Sequence, residues 1–333
     1  HGFPELSYSW IKLIRLLSNN GYHVIAPDQR GFGKTIGGDS TYTSDLSSYS
    51  HENLSDDIYY LIKKLGYERV KCIIGHDSGA AVAGMSALLR PDFYESLILM
   101  SAPFSGIPDL TDIDIDSYVP MTDEIDRDLS LLPIPKKHYQ SYYRTKDANL
   151  HIMNCKGGLE VFFRGYYHYK SADWEGNKPF ELSSWTADEL SKMPTYYIMN
   201  KHQNMSETVI DNMPSNEEIK KCKWLTNNEL DIYVNEYNRT TFQGGLNWYR
   251  ASVDYINLKL ISDFNDKKII IPSVFISGKK DWGIYQKPGS LKKMKELNLN
   301  FKGIELINNA GHWVQQENPN DVLKKIMFFL NHL

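Results

Sequence analysis

The sequence predicts an α/β fold built on a mostly parallel sheet and interrupted by a helical insertion. Three observations carry this. Helical and strand patterns alternate over the first hundred residues, the strand segments are apolar throughout rather than alternating in polarity, and the same alternation resumes after residue 257. Strands of that kind are covered on both faces.

Taken in order, residues 9–20 put Trp10, Leu13, Ile14 and Leu17 on one helical face, and Gly21 follows as a stop. The apolar run 22–26 reads as a strand that meets Pro27 and the glycine-rich turn 28–33. Residues 53–65 trace another helix face through Leu54, Ile58, Leu61, Ile62 and Leu65. A buried strand is expected over 70–74, then an alanine-rich helix closed by Pro91, then a strand over 96–101.

From 105 to 257 strand patterns vanish. This block holds 13 of the 22 tyrosines and reads as helical pieces joined by polar loops, among them 216–225 and 228–237. Beyond it come a strand over 269–277, a helix over 291–297, a strand over 303–307 and a closing helix over 322–330. The expected organisation is therefore a core formed by 1–104 and 258–333 with a helical cap, 105–257, inserted between them.

Composition narrows the function classes. Across 333 residues, Lys+Arg 37 against Asp+Glu 41 gives a net charge of −4, and 41% of residues are apolar and 13% aromatic. That composition supports a folded core and excludes a disordered chain, and it argues against nucleic-acid binding by bulk positive charge. Apolar stretches such as 269–276 fall well short of the roughly 20 residues a membrane helix needs, so a soluble protein without a membrane span is expected. Cys72, Cys155 and Cys222 form no C-x-x-C pair and read as ordinary thiols, with no metal site implied. No targeting signal is visible from His1 onward. The compartment is left open with the cytoplasm as default, and nothing sets the oligomeric state.

The chemistry concentrates around residue 77. The expected strand 70–74 runs directly into Gly75-His76-Asp77-Ser78-Gly79. Small residues two positions either side of a central one are what a sharp strand-to-helix elbow needs, because bulky side chains would collide as the backbone reverses. Asp77 then stands at the apex, beside the first N–H groups of the following helix. A carboxylate there can attack carbon and form an ester that must later be cleaved. Cleavage needs a base, and His312 follows the strand 303–307 on a loop. Asp281 follows the strand 269–277, where it would fix the His312 tautomer and stabilise its imidazolium. Each lies at the C-terminal end of an expected parallel strand, where open α/β sheets bind ligands, and nucleophile, acid, histidine is the α/β-hydrolase order along the chain.

The motifs His1-Gly2-Phe3-Pro4-Glu5, Asp28-Gln29-Arg30-Gly31-Phe32-Gly33, Gly75-His76-Asp77-Ser78-Gly79, Asn247-Trp248-Tyr249-Arg250 and Gly311-His312-Trp313 together resemble the epoxide hydrolase group of the α/β-hydrolase superfamily. The resemblance covers essentially the whole chain. It implies oxyanion-hole N–H groups from Phe3 and Ser78, a cis Phe3–Pro4 bond, and two cap tyrosines that donate hydrogen bonds to the opening epoxide. By motif one of these is Tyr249. The other falls in the segment 138–143, where register favours Tyr139 over Tyr142 or Tyr143. It also implies that the first strands of the sheet precede His1, and that an apolar small-molecule epoxide is hydrolysed to a vicinal diol without metal or organic cofactor.

One departure bears on the alternatives. Related epoxide hydrolases and haloalkane dehalogenases often carry Trp after the nucleophile, and fluoroacetate-type dehalogenases carry Arg there and again three residues later. This chain has Ser78 and Ala81, which weakens both dehalogenase readings. A serine esterase centred on Ser78 would need small residues at 76 and 80, and His76 does not fit. A non-catalytic binding protein that keeps the fold is the remaining alternative.

Overall fold

Six strands occur along the chain: Ile73–His76 (β1), Leu97–Met100 (β2), Lys136–His138 (β3), Ile198–Asn200 (β4), Ser273–Gly278 (β5) and Phe301–Ile307 (β6). The structure, a computed structural model, describes residues 1–333. β1, β2, β5 and β6 form one parallel sheet in that spatial order. β2 is buried at every position, as a central strand in a twice-covered sheet must be.

Helices cover both faces. On one side Ile11–Asn19 (α1) and the closing helix Pro319–Leu330 pack Leu13, Leu17, Val322 and Ile326 against Ile98, Met100, Val274 and Ile276. On the other, Ser78–Leu89 (α3) lies against the sheet and against His51–Lys64 (α2). α3 is built from small residues and is buried almost throughout, which lets it sit close to both neighbours; the hydroxyls of Ser55 and Ser86 meet at 2.9 Å in that contact. α2 begins where the Ser50 side chain accepts from Asn53 N–H, with Glu52 in its first turn and Lys63 and Lys64 in its last, as the helix dipole favours.

The expected elements are present with ends moved by a few residues, and two expectations fail. Residues 22–26 form no strand. Pairing requires a second backbone about 4.8 Å away; instead Val24 and Ile25 line a cavity of about 420 Å³ together with Ile73 and Ile74 of β1. Nor is the middle block free of strands, because β3 and β4 pair antiparallel as a three-residue ribbon. Runs that short carry no legible period. Otherwise the regular elements of residues 105–257 are helices joined by loops, including Tyr139–Tyr143, Gly158–Lys170, Asn227–Thr240 and Gln243–Ala251, and the expected helix 216–225 stops at Lys221. Their tyrosines pack together rather than face solvent: Tyr143, Tyr166, Tyr167, Tyr196, Tyr197, Tyr233 and Tyr237 are all fully buried.

Registers bring the C-terminal ends of the strands level, with His76 beside Met100 and Gly278 beside Ile307. The segments that leave those ends carry Asp77, Asp281 and His312.

Candidate active site

Asp77 adopts φ 52° and ψ −123°, a left-handed conformation that few non-glycine residues take up. Its neighbours explain how the turn is tolerated. A Cβ at Gly75 would lie 2.2 Å from the Gly79 carbonyl oxygen, and one at Gly79 would lie 2.6 Å from the His1 carbonyl oxygen. Gly75 lets the chain reverse here, and Gly79 lets the His1 segment pass close by. Gly2 passes equally close, since a Cβ there would fall 2.3 Å from Asp77 Oδ1.

That approach aims backbone at the carboxylate. Phe3 N–H donates to Asp77 Oδ1 at 3.2 Å, and the Phe3–Pro4 bond is cis. Ser78 reaches the same oxygen through its hydroxyl, at 3.2 Å, and its N–H stands at the start of α3.

His312 sits between two carboxylates. Nδ1 lies 3.1 Å from Asp281 Oδ1, and Nε2 lies 3.5 Å from Asp77 Oδ2. Asp281 is held in turn by Gly283 N–H at 2.6 Å and by the Ser277 hydroxyl at 3.1 Å. His312 Nε2 is buried and makes no hydrogen bond.

Electrostatics follow from burial and these partners. Burial pushes the Asp77 carboxyl up, but His312, Lys170 and His76 outweigh it and hold Asp77 well below the usual carboxylate range. Burial likewise pushes Asp281 up, and His312 brings it below its ordinary value. For His312, burial and the Lys170 charge pull down while Asp281 and Asp77 pull up, with a net upward shift.

Above the carboxylate, Tyr139 and Tyr249 stand with ring centroids 6.0 Å apart. Burial, and then the Asp77 charge for Tyr139 or Tyr139 and Asp77 for Tyr249, raise both hydroxyls well above 10, so both remain donors. Tyr139 donates to Gln286 Oε1 at 3.0 Å and accepts from Gln140 Nε2 at 3.1 Å. Tyr142 and Tyr143 point elsewhere, the first toward His151 Nδ1 and the second to the Tyr166 hydroxyl. The structure thus brings together all seven residues singled out from the sequence. No group of three or more His, Cys, Asp or Glu side chains is arranged to hold a metal ion, and no helix is long and apolar enough to cross a membrane.

Residues 1–319 match the family model described as alpha/beta hydrolase fold. The chain belongs to that family. Within it, this hydrolase is 29% identical over 336 residues to epoxide hydrolase A of Mycobacterium tuberculosis, covering all of this chain and 89% of that protein. It is 26% identical over 330 residues to an epoxide hydrolase of Caballeronia sordidicola, covering 99% and 85%. Its fold superposes on the structure of potato (Solanum tuberosum) epoxide hydrolase I with a TM-score of 0.75 at 25% identity, covering all of this chain and 91% of that one.

Several groups around the site carry no signal in the hydrolase sequence. Glu5 and His76 form a fully buried pair at 2.6 Å, and His76 Nε2 donates to the His312 carbonyl at 2.7 Å. Gln315 and Gln316 add donors to Glu5 Oε1. Glu317 accepts from Gly311 and Trp313 N–H on either side of His312, and from Ala172 N–H of the inserted block. Only Glu5 and His76 lay inside motifs, and there as spelling rather than chemistry.

Proposed function

We propose that this epoxide hydrolase opens its substrate through an ester on Asp77, with residues 105–257 acting as a cap over a core formed by 1–104 and 258–333. The observation that carries the reading is a carboxylate, rather than a hydroxyl, at the apex of the elbow and facing His312 Nε2. In the first step an Asp77 oxygen attacks an epoxide carbon, the C–O bond breaks, and the Tyr139 and Tyr249 hydroxyls stabilise the developing alkoxide, which takes a proton from a tyrosine and stays attached as the hydroxyl of a hydroxyalkyl ester on Asp77. In the second, His312 takes a proton from water, the water oxygen attacks the Asp77 ester carbonyl, and the Phe3 and Ser78 N–H groups receive the oxyanion. Asp281 orients the imidazole and balances its charge while it carries the proton. Collapse frees a vicinal diol and restores Asp77. Water supplies the protons and these side chains relay them, so the reading calls for no cofactor.

The two steps make opposite demands on His312, and the chemistry reconciles them. While Asp77 is ionised it helps raise His312. Once it is an ester its charge is gone, one upward influence disappears, and the imidazole becomes a readier proton acceptor.

The aromatic surroundings of Tyr139 and Tyr249 favour a largely apolar substrate. Ser78 donates its hydroxyl to Asp77, while His312 Nε2 faces Asp77, an arrangement that speaks against serine as nucleophile. A panel of terminal, aryl and fatty epoxides beside chloroacetate, fluoroacetate and a simple ester tests the reading. Diol release from epoxides alone is expected; turnover of a haloacetate or the ester in preference would overturn it.

A further inference from the structure

The last residue of the helix Gly158–Lys170 is a lysine with only 3% of its surface exposed. A buried ammonium is costly unless a carboxylate or dense hydrogen bonding meets it. Lys170 is met otherwise, by four aromatic rings: Tyr197 at 4.9 Å from Nζ, Tyr166 at 5.3 Å, Trp313 at 5.5 Å and Tyr196 at 5.8 Å. The nearby carboxylates, Asp77 and Asp281, are engaged by His312 instead. No carboxylate pairs with the Lys170 ammonium, and its charge acts on Asp77, Asp281 and His312.

Its attachment to His312 is direct. The Lys170 carbonyl accepts the His312 N–H at 3.0 Å, and Trp313, one wall of the cage, packs edge-on to the His312 ring at 4.7 Å. The strap continues through Ala172, whose N–H donates to Glu317 at 2.8 Å and whose carbonyl accepts from Lys280 Nζ at 2.9 Å. The Lys170 backbone and the His312 loop are thus tied together.

We propose that Lys170 is a positioning residue for the second chemical step: its caged ammonium, paired with no carboxylate, holds the His312 imidazole in the proton-accepting form while the Asp77 ester is hydrolysed. An aromatic cage alone does not require this charge, since a methionine would fill the same space. What the ammonium adds is a cation next to a group that must not become one too early. The titratable groups facing His312 are Asp77 at the elbow, Asp281 after β5, His76 at the end of β1 with ring centroids 5.1 Å away, and Lys170 from the inserted block. Of these the Lys170 charge opposes the two aspartates. When the ester forms, the Asp77 charge disappears and the Lys170 charge does not, so the balance swings toward neutral imidazole at the moment a base is needed.

This inference rests on the ester reading, and one experiment separates the two. Rapid quench of wild type, Lys170→Met and Lys170→Arg from about pH 5 to 9 follows ester formation by protein mass and diol release in parallel. Removing a cation near His312 makes imidazolium easier to form, so neutral base survives only at higher pH. In Lys170→Met the acid limb of ester hydrolysis is expected to move up by on the order of one unit, a roughly tenfold loss of rate below the limb. Ester formation should stay within a few fold, and Lys170→Arg should leave the limb where it is. An unmoved limb, or parallel loss in both steps, would overturn the role. Should Lys170→Met fail to fold, Lys170→Gln carries the same comparison. Absence of any ester in the wild type would instead overturn the Asp77 reading.

Discussion

His312 Nε2 lies 3.5 Å from Asp77 Oδ2 and makes no hydrogen bond, although it is buried. A buried nitrogen without a partner is uncommon, and here it faces the carboxyl group that, on the proposed reading, carries the ester.

Substituting His312→Gln removes the base and leaves the nucleophile. Ring opening should continue and ester hydrolysis should fall by about 10³-fold or more, so the protein should gain the mass of one substrate molecule at Asp77. Mass spectrometry of the intact chain after exposure to an epoxide checks this, and an unchanged mass would count against the assignment.

Tyr249→Phe takes away one donor to the developing alkoxide. The cost should fall on ring opening, by about a hundredfold, with ester hydrolysis spared. Single-turnover rates of the two steps separate the effects. Equal losses would make Tyr249 a packing residue.

Acid should divide the reaction in two. Asp77 is held ionised well below the usual carboxylate range, so alkylation persists as pH falls. Hydrolysis needs neutral His312 and is lost as pH falls through the pKa of that imidazole. The ester should therefore become the dominant steady-state species in mildly acidic buffer, where acid quench and mass measurement would find it. Free enzyme dominating at every pH would contradict this ordering.

Glu5→Ala strands His76 in the core. Leaving a buried polar group without its partner costs about 1–3 kcal/mol, more for a charged one, which denaturant unfolding reads directly. Burial raises the Glu5 carboxyl but His76 brings it below 4.5 overall, so its stabilising share is present above that value and lost as pH falls through the lower folded one. The difference between wild type and Glu5→Ala should thus shrink in strong acid and be full at neutral pH.

The elbow was legible in the sequence because its turn requirement is local: a Cβ at Gly75 would lie 2.2 Å from the Gly79 carbonyl oxygen, whereas Gly79 also makes room for His1, which only the fold brings near. Asp281 and His312 were legible because each follows an apolar strand and topology places strand ends together. Lys170 was not, because its neighbours Tyr196, Tyr197 and Trp313 reach it only through the fold, and a lysine closing a helix reads as an ordinary end. Gln286, which accepts from Tyr139 across 147 positions, was hidden for the same reason. The failed strand at 22–26 shows the reverse case, an apolar run whose pattern is right but whose pairing depends on what lies beside it.

The most direct test is a single turnover in heavy-oxygen water with enzyme in excess over an epoxide. An ester on Asp77 predicts that the first diol molecule carries an unlabelled oxygen taken from the carboxylate, with label appearing in the enzyme. Label in the diol from the first turnover would mean that water attacks the epoxide directly and that Asp77 is not the nucleophile.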